Sequence, residues 1–216
     1  MNFSKTFLFI GNKILPFVGL PILIWLWIRE GGIAFMALVL GLPFLFGYIV
    51  PGIGTNVLKM WRFRDSWTIG NYFIHHGFIY VSTMGFVMYF AFFPPANNDW
   101  STLLGNMVRG AGILGFILWT HDLIAIREGM LEIYSEPWKR GAPPEVITAQ
   151  YAPFCFSLLG ACYAGIVTVG YQTVVLDKNI NSLWWLFPLG LAVISAATSL
   201  PFLPWIKEIL FQKAQG

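Results

Sequence analysis

The sequence predicts an all-α fold, a polytopic membrane bundle of about six transmembrane helices with both termini in the cytoplasm. Residues 1–216 form a single transmembrane domain. Three observations carry this. The composition is 57% hydrophobic and 11% charged, where soluble domains carry about 25% charged residues. Uncharged stretches follow one another with short breaks, each near the roughly 20 residues that cross a hydrocarbon core of about 30 Å. Lys and Arg also fall mostly on one side of a six-span arrangement.

The first span, 8–28, is interrupted by Asn12 and Lys13, and the Lys13 stem is long enough to carry its ammonium to the headgroups. The second, 31–50, holds no charge, and Pro51, Gly52 and Gly54 end it. The third lies inside the uncharged run Ser66 to Asn98, placed at 70–93, where Pro94-Pro95 stop the helix because neither donates a backbone hydrogen bond. The fourth, 103–126, has Arg109 near one end and His121-Asp122 near the other. The fifth, 151–174, and the sixth, 183–206, are charge-free. Backbone in hydrocarbon must satisfy itself, so each span is helical or part of a closed barrel. Their length and lack of alternation exclude the barrel.

Orientation follows from counting. Lys5, Lys13, Lys59, Arg62, Arg64, Arg127, Lys139, Arg140, Lys207 and Lys213 fall on one side, and Arg29, Arg109 and Lys178 on the other. Ten against three places the first group in the cytoplasm, in the inner membrane of a bacterium. No small-residue cleavage site follows the first span, so it is expected to be retained. A net charge of +3 without a Lys/Arg run argues against nucleic acid. The partners expected are membrane lipids, with other membrane subunits or further copies of the chain as alternatives.

Small residues four apart mark helix contacts: Gly160 with Ala164 and Ala161 with Gly165 in the fifth span, Ala192 with Ala196 and Ser195 with Ser199 in the sixth. Pro16, Pro21, Pro43, Pro188, Pro201 and Pro204 predict kinks that the bundle must satisfy internally. Cys155 and Cys162 stack about 10 Å apart on one helix, too far to bridge, and read as packing residues. No internal repeat is evident, which counts against inverted-repeat transporters.

The chemistry-bearing residues share one depth. His75, His76 and His121, all the histidines of the chain, fall near the cytoplasmic ends of the third and fourth spans, with Asp122 beside His121. Ionisable groups inside a membrane are costly and point to function. Tyr72, His76, Tyr80 and Thr83 share one helical face, and His75 points about 100° away, towards the interface. A fourth helix continuing past the membrane aligns His121, Glu128 and Glu132. His76, His121, Asp122 and Glu128 are therefore the candidate catalytic set, and also the donor types a divalent metal takes. No H-x-x-x-H, E-x-x-H or multi-histidine box accompanies them, so no cofactor is specified. In the loop 51–72, Lys59, Trp61, Arg62, Phe63, Arg64 and Trp67 interleave basic and aromatic residues in the pattern of a headgroup layer. Tyr72, Tyr80, Arg62, Arg64 and Arg127 form the candidate substrate-binding set, the arginines holding a phosphate with help from Lys139 or Arg140.

These features favour a membrane-embedded enzyme acting on a lipid or isoprenoid at the cytoplasmic leaflet. Two other readings stay open: a non-catalytic subunit or assembly factor of a larger membrane complex, and a small oligomeric transporter or channel. The near absence of ionisable groups at mid-membrane weighs against the last.

Overall fold

The computed structural model describes residues 2–64, 67–97 and 99–214, with the backbone alone at 212–214. The Ser66 and Asn98 limits of the third uncharged run, and the Lys213 side chain counted on the basic side, lie outside the described residues. Four helical stretches are long and apolar enough to cross a membrane: Phe3–Val57, Trp100–Arg127, Ala152–Leu176 and Ile180–Phe211. The protein is an all-α membrane bundle.

The first stretch is folded back on itself. Helix α1 (Phe3–Phe9) runs through a π-helical segment, Ile10–Gly19, into α2 (Leu20–Gly52), and π-helical turns at Ile53–Val57 follow. Inside α2, Gly32 has φ +80° and ψ 177°, a conformation that only glycine adopts without strain. The chain then passes through β1 (Trp61–Phe63), β2 (Thr68–Ile69) and β3 (Tyr72–Phe73) to α3 (His76–Ala91). Leu23 before the break and Leu40 after it both pack on Gly85 of α3, and Trp27 Nε1 donates to the Gly85 carbonyl at 3.3 Å. The two limbs of α2 are therefore antiparallel, as the boundary between residues 28 and 31 predicts. Pro51 does not end the helix, which persists to Val57, its Thr55 hydroxyl donating to the Pro51 carbonyl at 2.7 Å.

Helix α3 has 16 residues, about 24 Å at 1.5 Å per residue, and is shorter than the 70–93 expected. The missing first turns are a ribbon in which Thr68 pairs with Phe73 and Ile69 with Tyr72, closed by Gly70 at φ +63°. Beyond its other end the backbone is extended at Phe92, and Asn106 supplies its hydrogen bonds, accepting from the Phe93 N–H at 3.0 Å and donating to the Phe93 carbonyl at 2.9 Å. Irregular backbone at this depth survives because such a side chain serves it. Arg109 lies over the Phe93 ring at 3.9 Å and donates to Asn106 Oδ1, so this polar patch clamps the loop.

Helix α4 (Trp100–Arg127) starts on Asp99, whose carboxylate accepts from the Ser101 and Thr102 amides and both hydroxyls. These donors, the Thr102 hydroxyl first, hold the Asp99 carboxyl down at about 2. A depressed carboxyl stabilises above its unfolded value of 3.8, and that contribution disappears as pH falls from there towards about 2. Asp99→Ala is expected to lower Tm at pH 7 and to differ much less from the wild type near pH 2, where the carboxyl is about half protonated, which thermal unfolding in detergent at the two pH values checks.

Helix α4 stops at Arg127 and Gly129 turns the chain at φ +72°. Strand β4 (Leu131–Ile133) then pairs antiparallel with β1, Trp61 opposite Ile133, Arg62 opposite Glu132 and Phe63 opposite Leu131. The helix does not continue past the membrane, so His121, Glu128 and Glu132 form no acidic stripe. Two short helices follow, α5 (Glu136–Lys139) and α6 (Pro144–Ala149), then α7 (Ala152–Gly170) with π-helical turns to Leu176, α8 (Leu183–Ser199) and α9 (Leu203–Ala214).

Helices α4 and α7 meet through glycine. A Cβ on Gly110 would lie 2.5 Å from the Gly160 carbonyl oxygen and 2.7 Å from Ala164 Cβ, so the predicted Gly160–Ala164 face is an internal contact. On α8 the buried face is Leu186, Gly190, Ile194 and Thr198. Ala192 and Ala196 are exposed, so the small-residue pair expected to pack there does not.

One proline explains a long-range bond. In an α-helix the amide of residue i serves the carbonyl of i−4, and proline has none. Pro43 leaves the Val39 carbonyl in want of a donor, and the fully buried Tyr163 hydroxyl reaches it at 2.7 Å. In the π-helical segment the Asn12 carbonyl takes His75 Nε2 at 2.7 Å. Tyr163→Phe is expected to cost about 1 kcal/mol, the scale of hydrogen bonds between membrane helices, in an unfolding titration with denaturing detergent.

Candidate functional site

The histidines converge through the first helix rather than by their own faces alone. His75 precedes α3 and is buried at 3% exposure, not interfacial as its helical angle suggested. Because a carbonyl can only accept, its Nε2 carries the proton given to Asn12. The Asn12 side chain turns to α4, with Oδ1 3.2 Å from His121 Nε2. His121 Nδ1 lies 3.3 Å from Asp122 Oδ1, and the other carboxylate oxygen accepts the Tyr151 hydroxyl at 2.8 Å. One polar chain thus runs His75, Asn12, His121, Asp122, Tyr151 across four segments of the bundle. Lys13, beside it, holds its ammonium 4.7 Å over the Trp67 ring, inside the protein and not among headgroups.

His76 opens α3 and is 3% exposed. The rings of Phe63, Phe73, Tyr72 and Tyr80 surround it at 5.0, 5.8, 5.9 and 5.3 Å between centroids. Its Nδ1 is buried with no hydrogen-bond partner among the described residues. An orphaned polar atom of this kind costs about 1–3 kcal/mol, so its persistence needs a reason.

What the imidazole is held for follows from the space on either side of the ring. An inner chamber of about 360 Å³ is bounded by the ends of α2 and α8 and roofed by the ribbon β1–β4, whose Trp61, Phe63, Leu131 and Ile133 point into it while Arg62 points out. A side chamber of about 320 Å³ lies against α1 and the π-helical segment after it. His76, Tyr80, Asp122, Phe63 and Phe156 line both, so the imidazole and the carboxylate stand in a wall between two apolar spaces. Such a layout, mostly apolar with a few convergent polar groups, is that of a small-molecule site.

The structure sorts the predicted residues. His76, His121, Asp122 and Tyr80 come together, and Thr83 joins them in the side chamber. Tyr72 touches the His76 ring from β3 but lines neither chamber. Glu128 caps the end of α4 outside both, and among the described residues no group of three or more His, Cys, Asp or Glu is placed to hold a metal. The four-residue metal set therefore does not assemble, because Glu128 ends α4 about two turns beyond His121 and lies outside both chambers. The arginines do not assemble as a phosphate site either. Arg64 pairs with Glu132 at 2.6 Å, Arg127 pairs with Glu145, Arg62 is exposed, and none of the three lines a chamber. Cys155 is a free thiol on the wall of the inner chamber.

Sequence reasoning missed Asn12, Tyr151 and Phe156. Asn12 had a signal, its polar side chain inside an otherwise apolar span. Tyr151 and Phe156 had none, since each reads as one more aromatic in an apolar span.

No family model, no curated protein and no solved structure matches this chain.

Proposed function

We propose that the protein is a membrane-embedded enzyme that moves protons on a lipid or isoprenoid substrate, with Asp122 and His76 as the groups that exchange them. The single observation that carries this reading is the placement of His76 and Asp122 together in a wall shared by two apolar chambers. Apolar space on both sides suits a substrate with a long hydrocarbon part, whose polar end would meet the imidazole and the carboxylate. Tyr151 and His121 hold the Asp122 carboxylate from its two oxygens, which orients it towards the same wall. A non-catalytic subunit has no need of an imidazole held this way.

The six-span, cytoplasmic-termini arrangement belongs to the same proposal. It takes the two limbs of Phe3–Val57 as separate spans and the 16-residue α3 as a short one, supported by the alternating direction of successive helices. Among the described residues, Lys5, Lys13, Lys59, Arg62, Arg64, Arg127, Lys139, Arg140 and Lys207 then gather at the histidine end, which the positive-inside rule assigns to the cytoplasm.

The test is turnover by the reconstituted protein in vesicles of total lipid extract supplemented with polyisoprenols, read by mass spectrometry. A product is expected with the wild type, with formation about 100-fold slower or more in His76→Ala, the usual scale of lost acid–base catalysis. Arg64→Ala and Arg127→Ala, outside the chambers, are expected within about twofold of wild type, as for surface ion pairs. Turnover that survives His76→Ala and fails with the arginine variants overturns the reading.

A further inference from the structure

A third cavity, of about 610 Å³, adjoins the inner chamber at the histidine end. Its walls are polar where those of the inner chamber are not, with Lys59, Ser135, Glu136, Lys139 and Glu208 among them. Leu58, Tyr151 and Phe202 line both spaces. Tyr151 therefore stands at the junction, its ring on the boundary and its hydroxyl on Asp122 Oδ2. A molecule reaching across this boundary has a polar end in one space, an apolar end in the other and its linkage beside the carboxylate.

We propose that this polar cavity is the headgroup chamber of the site, and that the ligand is a single-chain amphiphile with a neutral or zwitterionic head. The inference rests on the reading of the inner chamber as the place of an apolar chain. Charge selects the head. The lining carries two lysines and two glutamates, and Lys139 Nζ is already 2.7 Å from Glu136 Oε1, so no net positive field awaits a phosphate monoester or a free carboxylate. Groups of both signs side by side suit a head that carries both signs or neither. Ser135 and Gln150 add neutral polar side chains to the same wall. The inner chamber accepts the chain between the ribbon and α8, where Trp61 and Ala196 line it.

Two tryptophans report the two chambers, Trp61 in the inner one and Trp205 in the polar one. The probe is a zwitterionic lysophosphocholine brominated near the end of its acyl chain, titrated into the purified full chain in a non-quenching detergent. Saturable quenching is expected. Trp61→Phe removes more than about half of it, Trp205→Phe leaves it intact, and Ala196→Phe, at an exposed position of α8 that faces the chamber, abolishes it without disturbing the buried packing. A fatty acid with the same brominated chain binds about tenfold more weakly or worse, equivalent to 1.4 kcal/mol. Quenching that never saturates, that falls equally in both tryptophan variants, or that survives Ala196→Phe overturns the chain placement. A fatty acid that binds as tightly overturns the headgroup chamber. The readouts are separate, saturable quenching here and product formation there, so the failure of this inference and the failure of the catalytic reading show in different measurements.

Discussion

Gly160→Leu is expected to abolish the folded bundle, and Gly160→Ala alone to cost about 2–3 kcal/mol, the upper range for overpacking a filled core. A Cβ at Gly160 runs into the Gly110 carbonyl oxygen and carbon and stands 3.0 Å from Leu114 Cβ. The obstacle is backbone, which cannot rotate aside as a side chain can. Relief requires α4 and α7 to separate, and their separation breaks more than apolar contact. Asn106 Nδ2 reaches Thr168 Oγ1 on α7 at 3.0 Å, Asp122 holds Tyr151 at the start of α7, and Trp119 Nε1 reaches Thr148 Oγ1 on the neighbouring α6 at 3.0 Å. In hydrocarbon there is no water to replace those partners, and small residues at the interface are what hold two such helices together. Gly112 is the control. It sits on α4 with nothing within 4 Å of a built Cβ, so Gly112→Ala is expected to be neutral or to stabilise by up to about 1 kcal/mol through helix propensity alone. Unfolding midpoints in mixed-detergent titration rank the three variants. Equal loss in Gly112→Ala and Gly160→Ala would mean that the close approach of the two helices is not what holds them.

How much of this was legible depends on which physics is local. The four long apolar stretches follow from composition and length, which hydrocarbon imposes residue by residue. The Gly160–Ala164 face was legible for a similar reason, since spacing by four on one helix is a local fact. The gathering of His76, His121 and Asp122 could be read because depth in the membrane is also set by sequence position. What the sequence did not disclose is pairing between distant segments. Strands β1 and β4 are three residues each, W-R-F and L-E-I, and alternation over three residues is no match for the helical period of the spans beside them. Once those strands pair, Arg64 meets Glu132, and the arginine expectation fails with that misread turn. The metal expectation fails for another reason, since Glu128 ends α4 about two turns beyond His121 and outside both chambers. The Gly70-Asn71 pair was a two-residue hairpin signal that the apolar run around it concealed. Asn12 read as a flaw in the first span because a polar residue in a span acquires meaning only from what it touches, here His75 and His121.

Asp122→Asn carries the largest expected effect on activity. The substitution keeps the shape of the side chain and an oxygen to accept from Tyr151 or His121, so the fold and the chambers are expected to persist, checked by an unchanged Tm. It removes the negative charge and the capacity to take up a proton, and turnover is expected to fall about 10²–10⁴-fold, the range of a lost general base. Tyr151→Phe tests how that carboxylate is held. Among the described residues the hydroxyl bonds to Asp122 at 2.8 Å, so its loss frees the carboxylate to rotate without changing its charge, and a smaller fall, about tenfold, is expected for a misoriented base. Because Tyr151 acts through Asp122, the double variant is expected to be no slower than Asp122→Asn alone, the non-additivity of two groups that work as one. A double variant whose losses multiply would give Tyr151 an independent part, most simply as a contact to the ligand where the inner and polar chambers meet. Asp122→Asn at full activity would remove the carboxylate from the chemistry and leave it to His76 and Tyr80 of the shared wall.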